Sequence, residues 1–106
     1  MTIEKIPFKQ YVGKPKDTRL VKAAVRIRND VYTGWRHSEI IRYVAKEQKI
    51  VPFVGPEIQG FVTADGEYLR RESCSYIAFS SGQTTKYIRT LCSEDLWDNE
   101  GKPNLI

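Results

Sequence analysis

The chain contains 106 residues, of which 41% are hydrophobic and 28% are charged. This length and composition predict one globular domain over residues 1–106 and exclude wholesale disorder. The net charge is +4, and the excess lies in residues 1–50, which carry 12 Lys and Arg against 5 Asp and Glu. No run approaches the ~20 apolar residues of a membrane span. The first ten residues also lack the apolar core of a signal peptide, so we expect a cytoplasmic protein without membrane contacts.

The first part of the chain contains one clear hairpin. We expect residues 1–19 to form an irregular arm, with a candidate short strand near Phe8–Val12. Alternating side chains over Leu20–Arg28 predict a strand with one apolar and one basic face. A turn at Asn29-Asp30 then returns the chain as a partner strand over Val31–Thr33.

Helical periodicity and further strands follow. Apolar residues recur at helical spacing over Arg36–Gln48, which predicts the first helix. We expect a loop over Pro52–Gly60, which is rich in proline and glycine. Two short strands, Phe61–Thr63 and Tyr68–Arg70, are predicted next, joined around Asp65-Gly66. A second helix over Arg71–Ser81 would be capped by Gly82. A weak last strand over Tyr87–Cys92 and a frayed tail over 98–106 complete the prediction. The order β-β-α-β-β-α predicts an α+β fold with a small antiparallel sheet and two short helices.

The residues that enzymes and metal sites need are scarce. His37 is the only histidine and falls on the apolar stripe of the first helix, where it either fills the core or contacts a ligand. Cys74 and Cys92 lack the surroundings of an activated thiol. One histidine and two separated cysteines match no zinc spacing, and the glycines match no phosphate loop. We therefore expect a binding protein that is not an enzyme and holds neither a metal nor a cofactor.

The start of the first helix favours an anionic ligand. Arg36 and His37 stand where backbone N–H groups and the helix dipole attract anions. Arg36 either grips a phosphate with its fork of donors or is solvated. Phe61, next to Gly60, either stacks on a nucleobase or packs in the core.

Charged residues further along the chain fit the same kind of ligand. Arg71 either reaches a phosphate or pairs with a neighbouring carboxylate. Glu94 and Asp95 either accept hydrogen bonds from ribose hydroxyls or a base amino group, or lie in the first turn of a capped helix. These alternatives stay open on the residues alone.

The order of these segments resembles a known protein family. The pattern is Arg36-His37-x-x-Ile40-Ile41, Gly60-Phe61-Val62-Thr63-x-Asp65-Gly66, Arg71-Glu72, Ser80-Ser81-Gly82-Gln83 and Ser93-Glu94-Asp95-Leu96-Trp97. Over about residues 20–97 it resembles the first-described Thoeris anti-defence proteins of phages. The resemblance implies a non-catalytic sponge that sequesters cyclic ADP-ribose isomers made by bacterial TIR-domain proteins. It also implies homo-oligomers built on dimers.

The resemblance implies roles for individual residues. Arg36 and His37 would meet phosphate, and Phe61 would stack on adenine. The other residues implied at the pocket are Arg71, Arg89, Glu94 and Asp95. Other cyclic oligonucleotides would bind a second anion site, for which the candidates are Lys22, Arg26 and Arg28. Arg70 and Cys74 depart from the family pattern, which leaves the preferred nucleotide open.

Two other functions compete with this one. A small nucleic-acid-binding protein would use the basic strand face against phosphates and stack aromatic side chains on bases; its residues would be Lys22, Arg26 and Arg28 with Tyr11, Tyr32 or Trp35. A protein inhibitor would dock on a bacterial partner through exposed aromatic residues, namely Trp35, Tyr43 and Trp97.

Overall fold

One antiparallel sheet organises the protein. The structure, a computed structural model, describes residues 3–11, 18–47, 49, 58–98 and 100–104. The elements are β1 (Glu4–Pro7), β2 (Leu20–Ile27), β3 (Asp30–Gly34), α1 (His37–Glu47), β4 (Gln59–Thr63), β5 (Tyr68–Arg70), α2 (Arg71–Ser80) and a 3-10 turn (Ser93–Asp95). The strands lie in the order β1-β3-β2-β4-β5. The predicted α+β fold is confirmed, with β1 added to the predicted order. Most of the predicted loop over Pro52–Gly60 lies outside the described residues, and Gly60 belongs to β4.

Both helices pack on one face of the sheet. Buried apolar side chains from β2, β4, α1 and α2 meet there in a single core. Leu91, Leu96 and Trp97, from the segment around the 3-10 turn, complete this core. As predicted, Gly82 ends α2: its φ is +79°, and the Gln83 and Gly82 N–H groups donate to the carbonyls of Ala78 and Phe79. This is the Schellman arrangement, in which a residue without a Cβ takes the left-handed position.

Residues 3–11 of the N-terminal arm cover the opposite face of the sheet. The strand among them is Glu4–Pro7, so the strand predicted near Phe8–Val12 does not form over its described residues 8–11, and Val12 lies outside the described residues. After β1 the chain leaves the β3 edge and reaches β5, where the Tyr68 N–H donates to the Lys9 carbonyl. Phe8 packs with the buried residues of this face. The arm is therefore part of the fold, because it closes a face that the helices leave open.

The β2–β3 hairpin differs in detail from its prediction. Ile27 pairs with Asp30, so the turn residues are Arg28 and Asn29, one residue earlier than predicted. Arg28 adopts a φ of +58°. An irregularity in the pairing of β2 with β4 near Leu20 also moves Val21 to the arm-covered face. The predicted split into one apolar and one basic face therefore fails.

The C-terminal part is more ordered than the sequence suggests. The weak strand predicted over Tyr87–Cys92 does not form. The predicted frayed tail folds back on itself over its described residues: the Asp98 carboxylate accepts from the N–H groups of Glu100 and Lys102, and Trp97 bridges to Pro103. No helix in the described part of the chain is long and apolar enough to cross a membrane.

Candidate functional site

The start of α1 carries the first part of the site. The Arg36 guanidinium donates from Nη1 to the Trp35 carbonyl oxygen at 3.0 Å, and its Nε lies 3.7 Å from Glu94 Oε1. The Arg36 side chain is only 15% exposed, whereas that of Glu94 is 66% exposed. The fold thus holds the arginine in place and leaves its carboxylate partner open to solvent.

His37 follows Arg36 in the chain, and its side chain is buried. Its Nε2 is 2.7 Å from the Gly60 carbonyl oxygen, and its Nδ1 is 3.3 Å from Arg71 Nη2. Because a carbonyl only accepts, Nε2 carries the proton and Nδ1 accepts from Arg71. Burial lowers the pKa of His37 to about 4; the Gly60 hydrogen bond opposes this and the Arg71 charge adds to it. Of the two alternatives open on the sequence, the structure therefore favours a neutral core histidine.

Arg71 joins β4 to the start of α2. Its Nη2 also donates to Gln59 Oε1 at 2.7 Å, and its Nε is buried without a hydrogen-bond partner among the described residues. No described carboxylate forms an ion pair with this guanidinium. Arg71 supplies positive charge beside His37 and adds to the larger effect of burial, which keeps the histidine neutral.

Phe61 is a core residue. It is fully buried, with its ring 5.2 Å from the His37 ring and 6.0 Å from the Trp97 ring, measured between centroids. Stacking on adenine needs an exposed ring face, which Phe61 lacks. The prediction that Phe61 contacts the base does not fit this placement, although the residue does support His37.

The 3-10 turn presents two carboxylates in different ways. Asp95 Oδ2 accepts from the Cys92 N–H at 2.8 Å and so caps the turn. Glu94 Oε1 accepts from the Ser93 hydroxyl at 2.7 Å. This bond is the main reason that the pKa of Glu94 lies below its usual value, and the Arg36 charge contributes. Glu94 is therefore ionised at neutral pH.

A surface groove of about 420 Å³ lies beside the 3-10 turn. Its lining residues are Gln83, Thr84, Thr85, Lys86, Ile88, Glu94, Asp95, Pro103 and Asn104. Asn104 is fixed there because its Nδ2 donates to the carbonyls of Glu94 and Trp97. Sequence reasoning missed Lys86 and Asn104. The only signal for Lys86 was the polar run after the Gly82 cap. Asn104 lies in the tail that was predicted to be frayed.

The structure brings six of the seven predicted pocket residues into one connected region. Arg36, His37, Phe61, Arg71, Glu94 and Asp95 lie at or next to the junction of α1, β4, α2 and the 3-10 turn. Arg89 stands apart. Its side chain is exposed and does not line the groove, and its carbonyl accepts from the Ser75 hydroxyl on α2.

Two of the three residues of the proposed second anion site already have partners. Lys22 forms an ion pair with Glu4 at 3.4 Å and lies 5.6 Å from the centre of the Trp35 ring. Arg26 lies 3.6 Å above the Phe8 ring. Arg28 is exposed in the hairpin turn. A ligand on this face would compete with the arm, which weakens the case for nucleic-acid binding there.

One of the two cysteines belongs to the core. Cys74 is buried, its Sγ lies within hydrogen-bonding distance of the Arg70 carbonyl, and burial raises the pKa of its thiol. The described residues contain no group of three or more histidine, cysteine or acidic side chains able to hold a metal ion.

Comparisons with known proteins give one finding. A family model described as "Phage T4 y16D protein" matches residues 19–97, which is most of the chain and includes every residue of the connected region. No curated protein and no solved structure matches.

Proposed function

The chain belongs to the phage T4 y16D protein family, and from that premise we propose that it is a sponge that binds a cyclic ADP-ribose-type nucleotide and releases it unchanged. Bound in this way, a signal made by a bacterial TIR-domain protein would not reach its effector, and anti-phage defence would fail. The protein would act in the cytosol of the infected cell. The resemblance in sequence motifs suggests this ligand, and the geometry of the site supports it.

The observation that carries the proposal is the double role of Glu94. This residue pairs with Arg36 at the start of α1 and also lines the groove. It therefore connects the groove to the cation Arg36. A ligand phosphate at this edge of the groove would meet Arg36, whose guanidinium is pre-oriented by the Trp35 carbonyl and so loses little conformational entropy on binding.

The groove offers the groups that a nucleotide requires. Its volume lies within the range of small-molecule sites, about 300–1,000 Å³. Lys86 can meet a phosphate, the carboxylates of Glu94 and Asp95 can accept from ribose hydroxyls, and Ile88 provides an apolar surface for a base. An effective sponge needs a Kd near or below ~100 nM, which corresponds to a favourable binding free energy of about 9.5 kcal/mol. Several charge-assisted hydrogen bonds in one groove can supply that.

Isothermal titration with cyclic ADP-ribose and its glycosidic isomers tests the proposal. After binding, the protein is denatured by heat and the ligand is identified by chromatography. We expect tight binding of at least one isomer and recovery of that isomer intact. Arg36→Ala should weaken binding at least about tenfold, or 1.4 kcal/mol, because it removes the charge-assisted contact.

Arg42→Ala is the matched control. Arg42 is an exposed arginine on the same helix and does not line the groove, so its removal should leave the Kd unchanged. Recovery of a cleaved product would show an enzyme instead of a sponge. If no cyclic nucleotide binds, the proposed ligand class is wrong.

A further inference from the structure

The hydrogen bonds of Asn104 fix the orientation of its side-chain amide. Its Nδ2 donates to the carbonyl oxygens of Glu94 and Trp97 at 2.8 and 2.9 Å. Because a backbone carbonyl only accepts, the amide nitrogen must point at these two oxygens, and both of its hydrogens are used. Within the described residues no donor reaches Asn104 Oδ1. This oxygen is therefore the atom that the side chain offers to a ligand.

The backbone of Asn104 is held as firmly as its side chain. Its N–H donates to the Leu96 carbonyl at 2.9 Å, and the neighbouring Pro103 bridges to Trp97. Leu96 and Trp97 belong to the buried core. The position of Asn104 Oδ1 is thus set before a ligand arrives, so this acceptor loses little conformational entropy when it receives a hydrogen bond.

The part of the groove around Asn104 consists of acceptors. Glu94 and Asp95 line the groove together with Asn104, and the Asn104 amide bonds the Glu94 backbone. Ionised carboxylates accept hydrogen bonds and do not donate them. These three residues, hereafter the acceptor wall, therefore suit a ligand group that carries donor hydrogens. Lys86, which also lines the groove, supplies the positive charge for a phosphate.

An amino group on a base matches the acceptor wall better than a sugar hydroxyl does. The exocyclic amino group of adenine carries two donor hydrogens, which can serve Asn104 Oδ1 and a neighbouring carboxylate together. A hydroxyl has one hydrogen, and its lone pairs would face further acceptors. Hypoxanthine and guanine have a carbonyl oxygen at the same ring position, which would place two acceptors opposite each other.

We infer that Asn104 is a specificity-determining residue of the groove and that its Oδ1 accepts a hydrogen bond from the amino group of an adenine base. This inference rests on the proposed nucleotide function and adds the part of the ligand that the groove distinguishes. Because both hydrogens of the Asn104 amide are used within the protein, the residue cannot also donate to a base. It therefore selects by accepting alone, and a base with a carbonyl oxygen in that place is rejected.

Paired titrations with two ligands test the inference. One is the glycosidic isomer of cyclic ADP-ribose that binds most tightly, and the other is its hypoxanthine analogue. The two ligands differ along one edge of the base, where a carbonyl oxygen replaces the amino group. We expect the protein to bind the adenine form at least about tenfold more tightly. Equal affinities would overturn the inference and leave the sponge proposal intact, whereas binding of neither ligand would overturn both.

Variants of Asn104 separate base selection from support of the fold. Asn104→Ala loses the bonds to Glu94 and Trp97 and can weaken both ligands, so the readout is the ratio of the two Kd values. We expect this ratio to fall close to one. Asn104→Asp also loses both donors but keeps an acceptor oxygen, and it should retain a preference for the adenine form. A purely structural role for Asn104 would give the same ratio in both variants, which would overturn the inference.

Lys86→Ala is the matched control. Lys86 is exposed and lines the same groove, but its ammonium group meets phosphate, which the two ligands share. Its removal should weaken both ligands by similar factors and leave the ratio unchanged. Loss of the ratio in Lys86→Ala to the same extent as in Asn104→Ala would show that Asn104 does not select the base.

Discussion

At the scale of single residues, His37 makes the fold sensitive to acid. Its pKa in the folded protein is about 4, against 6.5 for a free side chain. A base whose pKa is lowered by folding binds its proton more readily when unfolded. The contribution of neutral His37 to stability is therefore fully present above pH 6.5 and is lost as the pH falls from 6.5 toward 4.

We predict a loss of about 2 kcal/mol in the free energy of unfolding between pH 7 and pH 5. Urea denaturation at each pH measures it. The pKa values of Glu94 and Asp98 lie below their ordinary values of 4.5 and 3.8, so their titration falls outside this window. His37→Gln can still donate to the Gly60 carbonyl but does not titrate, and it should abolish the slope. An unchanged slope in that variant would assign the acid sensitivity to another group.

The residue scale also shows what a sequence pattern leaves undecided. The start of α1 beside Arg36 and His37 was readable from the sequence because a helix start is a local feature, whereas the contact between Arg36 and Glu94 is long-range and was expected only from the family resemblance. The burial of Phe61 was not decided by its own neighbours. It follows from His37 and Trp97, which are distant along the chain and close its ring on two sides.

At the scale of elements, the C-terminal turn, formed by residues 98 and 100–104, builds one wall of the groove. Gly101 has a φ of +85°, and a Cβ at this position would overlap the Trp35 ring. The same turn carries Pro103 and Asn104, which line the groove. The packing of the turn against Trp35 therefore positions one wall of the candidate site.

Gly101→Ala should lower the free energy of unfolding by more than Gly66→Ala does. Both glycines have a positive φ, but a Cβ at Gly66 would meet nothing within 4 Å. The Gly66 variant thus reports the backbone strain alone, about 1 kcal/mol, and we expect at least about 1 kcal/mol more at Gly101 from the clash. Urea denaturation monitored by tryptophan fluorescence measures both. Equal losses would mean that the turn is not packed on Trp35.

At the scale of the whole molecule, local sequence patterns predicted β2 to β5 and both helices, but not β1 or the segments that close the structure. The arm and the C-terminal turn have no amphipathic repeat, and their contacts are long-range. Phe8 meets Arg26 and Tyr68, and Gly101 meets Trp35. Such contacts depend on the sheet already being formed, so no window of the sequence contains them.

The arm also bears on which function the molecule can perform. Because Phe8 packs against the arm-covered face of the sheet, Phe8→Ala should lower the free energy of unfolding by about 2 kcal/mol. This is less than the roughly 3–5 kcal/mol of a fully buried ring because Phe8 is half-buried. Lys9→Ala is the control, since Lys9 is exposed and contributes its backbone carbonyl to Tyr68. Chemical denaturation of both variants decides the point. If Phe8→Ala were as stable as Lys9→Ala, the arm would not hold the second face, Arg26 would be available to phosphates, and a nucleic-acid surface would again compete with the nucleotide groove.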